Sequence, residues 1–345
     1  MRASVRTALV AAAIAASLVV AGSALAANVA TIAVSTSGTA TTIHINVPQT
    51  TDPIAAISIF VPAGYAADLG AAPNTNIGTV DATANGHDVG LTLPLTGDVT
   101  TDNPASHTAD PCSPGTHAAV WNLNLSVAGQ SIVLPLYVDP TAGAATGLGA
   151  YQMLICLPPW DVPAGTPGRS FEGAQLLDAQ FTVKGIFSAP TAPGLLAWHT
   201  LFTPYTPGAG TPNLAGTFEA RALVGSPSLS LKASKKNGKY TLSGKAAEGG
   251  AAVVGATVTV QRGASATKLA KAGSATTSTS GAWSSSGKLT GKKPVYFKAT
   301  AMVKERDATA AGCATALPAT VAPGGCTSAT LGAWTVSSPV AKLKP

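Results

Sequence analysis

Along most of the chain apolar side chains return at every second position, and Gly, Pro, Asn or Ser closes each run after five to ten residues. Such alternation marks short strands with one face buried and one wet, joined by turns. Val258 and Val260 oppose Thr257, Thr259 and Gln261, and Val295, Phe297 and Ala299 oppose Tyr296, Lys298 and Thr300. The first half reads the same way. Val29 to Ser35 and Ala40 to Val47 flank a turn at Thr36-Ser37-Gly38-Thr39, and Ile54 to Val61 is apolar enough for a central strand. Asn76 to Thr83 and Gly90 to Leu95 surround Asn85-Gly86, a pair suited to a tight hairpin turn. His117 to Val127 and Ser131 to Val138 flank Ala128-Gly129-Gln130, with Trp121, Leu123, Leu125 and Val127 on one face. Further strands are predicted over 148–157, 175–183, 195–202 and 216–224, with loops at 100–115 and 158–168. No stretch after the N-terminus needs a helix, so the predicted class is all-β: two antiparallel β-sandwich domains.

The second domain carries the clearest motifs. Lys239-Tyr240-Thr241-Leu242-Ser243-Gly244 is followed by Gly255-Ala256-Thr257-Val258-Thr259-Val260, then by Gly281-Ala282-Trp283 and by Val295 to Ala301. This order resembles the immunoglobulin-like repeats, fibronectin III-like in outline, appended to many secreted actinobacterial proteins. The resemblance implies a sandwich outside the cell and implies no reaction. Repeats of that kind close with one more strand after a short turn; here Glu305 to Thr327 intervenes, and Ala333-Trp334-Thr335-Val336 is the candidate for the displaced last strand. The segment from Trp198 to Arg221 is similar to one that precedes such repeats in uncharacterised secreted actinobacterial proteins. The expected division is therefore 1–26 signal peptide, 27–224 an acidic N-terminal domain and 225–345 a basic Ig-like domain.

Charge supports a boundary near Gly225. The net charge of +6 conceals a split: before Gly225 the mature chain has only Arg169, Lys184 and Arg221 against twelve acids, and after it sixteen Lys and Arg face Glu248, Glu305 and Asp307. At the start, Arg2 and Arg6 precede an apolar run from Ala8 to Ala21 and an Ala24-Leu25-Ala26 cleavage site, the pattern of an export signal. The run is shorter than a membrane span needs, and no later apolar run is long enough, so no transmembrane segment is expected after signal removal. Four cysteines in an exported chain point to disulfides, for which three pairings exist. The pairing that keeps each bond inside one expected domain is Cys112–Cys156 with Cys313–Cys326. In Cys112, Trp121 and Cys156 the order matches antibody-type domains, but Cys112 sits in a Pro-flanked loop and Leu154 occupies the tyrosine-corner position, so a loop-to-strand staple is expected.

Candidate chemistry is sparse. There is no G-x-S-x-G elbow, H-E-x-x-H, Walker A or dinucleotide fingerprint. His107, Asp110, Cys112 and His117 share a loop without a standard zinc spacing, so no metal and no cofactor is assigned. His44, His87 and His199 stand alone, and Asp161, Glu172 and Asp178 have no spacing that selects them as a hydrolytic carboxylate pair. Two features suggest binding. Trp160, in Pro158-Pro159-Trp160-Asp161, could stack on a sugar ring. The lysines of the second domain (Lys235, Lys236, Lys239, Lys245, Lys288, Lys292, Lys293 and Lys298) fall at turns or outward strand positions, where they could meet an anionic cell-wall polymer or acidic glycan, or keep exposed strand edges from aggregating. Specific nucleic-acid recognition lacks the stacking aromatics it would use. The sequence points to a secreted, non-enzymatic structural or adhesion protein, with a carbohydrate-binding protein and an extracellular hydrolase as alternatives.

Overall fold

The computed structural model describes residues 29–127, 129–190, 194–289, 293–308, 310–313 and 317–344. The predicted signal peptide lies outside them. All extended elements are strands, with a few single-turn 3-10 helices; no helix among the described residues is long and apolar enough to cross a membrane.

The first part of the chain supplies β1 (Thr31–Ser37), β2 (Ala40–Asn46), β3 (Ile54–Val61), β4 (Ala66–Ala67), β5 (Asn76–Gly86), β6 (Leu91–Asp102) and β7 (Ala119–Val127). It continues with β8 (Gln130–Pro140), β9 (Tyr151–Cys156), β10 (Ala174–Lys184), β11 (Phe187–Ser188), β12 (Leu195–Pro204) and β13 (Phe218–Gly225). Next come β14 (Pro227–Leu229), β15 (Lys232–Lys236), β16 (Lys239–Glu248), β17 (Ala251–Ala252), β18 (Thr257–Gly263), β19 (Leu269–Thr276), β20 (Ala282–Lys288) and β21 (Val295–Val303). The chain ends with β22 (Arg306–Asp307), β23 (Cys326–Leu331), β24 (Trp334–Ser337) and β25 (Ala341–Leu343).

A thirteen-stranded sheet runs β1-β2-β10-β5-β6-β7-β8-β9-β3-β12-β13-β23-β22. It curls until its first strand meets its far end: the Ser328 and Thr330 hydroxyls donate to the Ala30 and Ile32 carbonyls. These side-chain bonds cover part of the outer edge of β1, which has no second ladder partner among the described residues. Its inward side chains form one core, crossed by an edge-to-face aromatic chain from Trp121 through Phe187 and Trp198 to Tyr65, with centroids 6.1, 6.0 and 5.3 Å apart.

The remaining strands build a smaller sandwich. One layer has β16 at its centre, with β14 and β15 along one edge and β20 and β17 along the other. The other layer runs β19-β18-β21, with β24 and β25 sharing the far side of β21. Leu242, Val258, Val260, Trp283, Phe297 and Trp334 fill the space between them. Trp334–Ser337 pairs with β21, the place expected for the displaced last strand.

The excursion between β21 and β24 does not stay with this sandwich. Its β23 runs parallel to β13 and its β22 antiparallel to β23, so both extend the large sheet. The chain thus leaves the large unit after β13, builds most of the small one, returns, and leaves again. Glycines permit the tight junction: a Cβ on Gly332 would meet the Val34 carbonyl, and one on Gly225 would lie 2.6 Å from the Gly249 nitrogen. Two ion pairs pin the returning segment. Arg306 Nη2 lies 2.6 Å from Glu248 Oε2, a buried carboxylate of β16. Glu305 reaches His44 on β2 at 2.7 Å, and the same ring contacts Asp178 at 2.7 Å.

Both predicted disulfides form, with Cα–Cα distances of 6.4 Å for Cys112–Cys156 and 5.7 Å for Cys313–Cys326. The first ties a loop to the end of β9, as expected of a staple. One expected turn is displaced: Asn85 and Gly86 are the last residues of β5, and the chain reverses at His87 to Gly90, where Gly90 has φ +64°. Asp88 in that turn is gripped by Arg169 from the loop that leads into β10, a partner no local pattern announces.

Candidate functional site

The segment from Leu157 to Gly173 crosses one end of the large unit and roofs an apolar pocket. Pro158-Pro159 follows β9 and, lacking N–H groups, offers the ladder no further donors. The floor comes from inward positions of β5, β6, β7, β8 and β10, including Ala82, Ala84, Leu95, Leu125, Leu134 and Leu176. Three alanines, Ala82, Ala84 and Ala174, stand among larger neighbours around a cavity of about 130 Å³. Its mouth has the exposed acid Asp52 and Phe171, which is 54% exposed; among the described residues no basic side chain lines it.

The roof is held from several sides. Both guanidinium ends of Arg169 meet Asp88, at 2.6 and 2.7 Å, and its Nε donates to the Val162 carbonyl at 2.7 Å. The hydrogen bonds from Arg169 hold the Asp88 carboxyl below its ordinary pKa despite partial desolvation. Two left-handed residues, Glu172 (φ 50°) and Gly173 (φ 59°), turn the chain into β10. His87 stacks flat on Trp160, with centroids 3.9 Å apart and planes 6° apart. His87 Nε2 is 2.9 Å from Gln175 Oε1, and the buried Gln175 amide donates to the Gln49 and Thr51 carbonyls. Two polar atoms on the lining remain without a hydrogen-bond partner among the described residues, Trp160 Nε1 and Ser170 Oγ.

The second candidate surface is the outer face of β15, β16 and β20. Residues directly opposite in neighbouring strands point the same way, so the register defines this face. Lys232, Ser243 and Ser284 form one row, Ser234, Thr241 and Ser286 the next, and Lys236, Lys239 and Lys288 the third. All nine are exposed, and none is acidic. Lys245 lies farther along β16 on the same face, beside an open groove of about 840 Å³ that also takes in Lys232, Ser243 and Ser284. Around the Lys288 end, Arg262 sits 5.5 Å over the Tyr240 ring and donates to the Lys288 carbonyl. Neighbouring strands lie roughly 5 Å apart, so three like charges in one row cost stability unless counter-charge is supplied.

The remaining sequence candidates have structural partners. Cys112 is in its disulfide. His107 is held between Asp110 at 2.7 Å and Asp102 at 3.2 Å, while His117 contacts Asp139 at 2.8 Å and the Ser113 carbonyl at 2.9 Å. Tyr137 donates to Asp110, and burial followed by that bond raises its phenol well above the ordinary value. His199 is paired with Glu219 of β13 at 2.6 Å, and Arg221 grips the same fully buried carboxylate through Nε and Nη2 at 2.6 and 2.9 Å. Burial alone would raise the Glu219 pKa; the hydrogen bonds from His199 and Arg221 and their charge outweigh it and lower the pKa. Asp161 accepts from the Gly208 amide, apart from Glu172 and Asp178. Trp121, Trp198 and Trp283 are core residues. Lys293 is exposed in the bend before β21, and Lys292 lies outside the described residues. Sequence reading missed Ser170 and the Lys236–Lys239–Lys288 row. The first carries no local signal, and the second becomes visible only when the register is known.

No family model matches the chain, and no curated protein matches it. A solved structure described as a tetra-tandem repeat in the extending region of a large adhesion protein aligns over 91% of this chain and 100% of its own, at 10% identity and a TM-score of 0.23. A likeness that faint carries no argument about fold or role.

Proposed function

We propose that this is an exported, non-enzymatic adhesion or structural protein, whose small Ig-like unit holds an anionic cell-wall polymer against the outer face of β15, β16 and β20. The observation that carries this reading is the in-register row Lys236, Lys239 and Lys288, embedded in serine and threonine. A protein selected for stability alone has no reason to place three ammonium groups opposite one another. A polymer with regularly spaced phosphates supplies the missing counter-charge, and the hydroxyls donate to its oxygens. Export is supported by the N-terminal pattern and by the two cystine pairs, which persist in oxidising surroundings. A structural role is supported by the returning β22–β23 segment, which ties the two units into one body.

The test compares the full chain with a Lys236→Gln, Lys239→Gln, Lys288→Gln variant on immobilised poly(glycerol phosphate) over a range of salt. The full chain should bind and be released by salt. The variant should bind at least tenfold more weakly at low salt, with a salt dependence shallower by about two to three contacts. Equal binding by both proteins, or preference for a neutral polysaccharide, rejects the reading.

A further inference from the structure

We propose that the pocket beneath Trp160 is a binding site for a small neutral molecule, or a group on a larger one, made of a compact apolar body and one adjacent carbonyl oxygen. This rests on the large unit alone and does not depend on the polymer reading.

Size sets the body. An apolar cavity of about 150 Å³ stays dry and accepts benzene. The volume here, about 130 Å³, suits one six-membered ring or an acyl end of roughly the same bulk. The walls are nearly all carbon, from Ala84, Leu95, Leu125 and Leu134 among others.

Polarity sets the rest. Ser170 is 7% exposed and its hydroxyl has no partner; the Trp160 indole N–H is likewise buried and unpartnered. Both residues line the cavity. A buried donor without an acceptor is costly, and such groups in folded proteins nearly always have a partner. Two orphan donors on one apolar lining can be satisfied together by one oxygen with two lone pairs; a carbonyl is the strongest neutral acceptor of that kind and, unlike a hydroxyl, brings no donor that would need a partner of its own. A carboxylate or phosphate is disfavoured because no cation lines the site and Asp52 stands at the mouth. A sugar ring is disfavoured because one face of Trp160 is already covered by His87, and the walls offer its hydroxyls almost nothing.

The pocket is also pre-formed. Arg169 clamps the roof to Asp88, and the His87–Gln175 pair fixes the indole from behind. A ligand therefore enters without having to order the loop, which keeps the cost of binding low.

Acetophenone, ethylbenzene and 2-hexanone serve as probes in a titration of the whole protein, followed by amide shifts in two-dimensional NMR. Acetophenone should shift residues around Ser170 to Leu176 and bind about five- to tenfold more tightly than ethylbenzene, which has the ring without the oxygen. 2-Hexanone should compete with it. Ser170→Ala should erase the preference for the ketone while leaving ethylbenzene binding in place. Ala84→Phe should abolish binding of all three. If Ala84→Phe does not fold, the Ser170→Ala comparison still decides the question. Absence of saturable shifts with any probe, or equal affinity for acetophenone and ethylbenzene in the unaltered protein, overturns the proposal.

Discussion

The two units obey the same alternation and put it to different use. The large one buries a charge cluster at its heart: Glu219 and Arg221 are 0% and 3% exposed, and His199 completes the cluster on β12 and β13. The small one displays charge, on a flat face of lysine and hydroxyl with no acid to balance it. Inward positions draw on Val, Leu, Ala and aromatic residues in both, with Ile confined to the large unit; the outward and junction positions set the units further apart. In a sheet, identity resides in what the core does not decide.

Breaking the buried cluster should produce the largest effect. Glu219→Ala removes the buried carboxylate that balances the Arg221 guanidinium, which costs about 3–5 kcal/mol. Calorimetry should show the large unit's transition falling steeply. A drop under one kcal/mol would mean that the cluster is wet.

Removing the disulfides comes next and sharpens the contrast. By loop closure, Cys112–Cys156, separated by 44 residues, stabilises by about 4 kcal/mol, and Cys313–Cys326, separated by 13, by about 3 kcal/mol. Although Cys313 and Cys326 follow most of the small unit in sequence, Cys313→Ser with Cys326→Ser should destabilise the large one, because β23 is its strand. Hydrogen exchange resolved by residue would read this; loosening confined to β16, β18 and β21 would refute it.

A pH effect of intermediate size acts on the junction. The Glu305 hydrogen bond, opposed by desolvation and joined by Asp178, raises His44 from 6.5 to about 9. A raised pKa means that the folded form holds the proton more tightly, so the stabilisation is complete below about pH 6.5 and is lost as pH climbs through about 9. Amides near Glu305 and Arg306 should exchange faster at pH 9.5 than intrinsic rates explain, and His44→Gln should remove that pH dependence. Glu219 works in the opposite sense: its lowered pKa gives stability that is present above the usual carboxylate range and lost as pH falls through the lowered value.

The smallest effect carries the opposite sign. Lys239→Gln relieves repulsion from both neighbours and should raise the small unit's stability by about 0.2–1 kcal/mol, toward the low end because the groups are exposed. Poly(glycerol phosphate) binding should fall in the same variant, and a denaturant titration beside a binding curve would show both. A loss of stability would mean that the row is not repulsive.

Much of this was legible in the alternation. Val258, Val260, Trp283, Val295 and Phe297 lie where two-residue periodicity places them, and Trp334 takes up the last strand across a long insertion. What escaped is non-local. Arg306 and Cys326 look like parts of a loop, and only their pairing with β13 and β16 residues shows where the chain goes. Asn85-Gly86 has the composition of a turn, but β10 pairs with both residues and keeps them extended. Trp160 stands out as an aromatic in a proline-rich loop, but the histidine that covers it comes from the β5–β6 turn, and Ser170, later in the same loop, shares the lining with no local pattern to announce it.

The double crossing between the units has a mechanical consequence. A pull on the C-terminal end loads β25 and β24 first, which can peel from β21 one hydrogen bond at a time. To travel farther the tension must reach β23, set side by side with β13 and tethered by cystine, where the bonds share the force instead of failing in turn. Tugged from that end, the molecule should give a little and then hold, as a seat belt does.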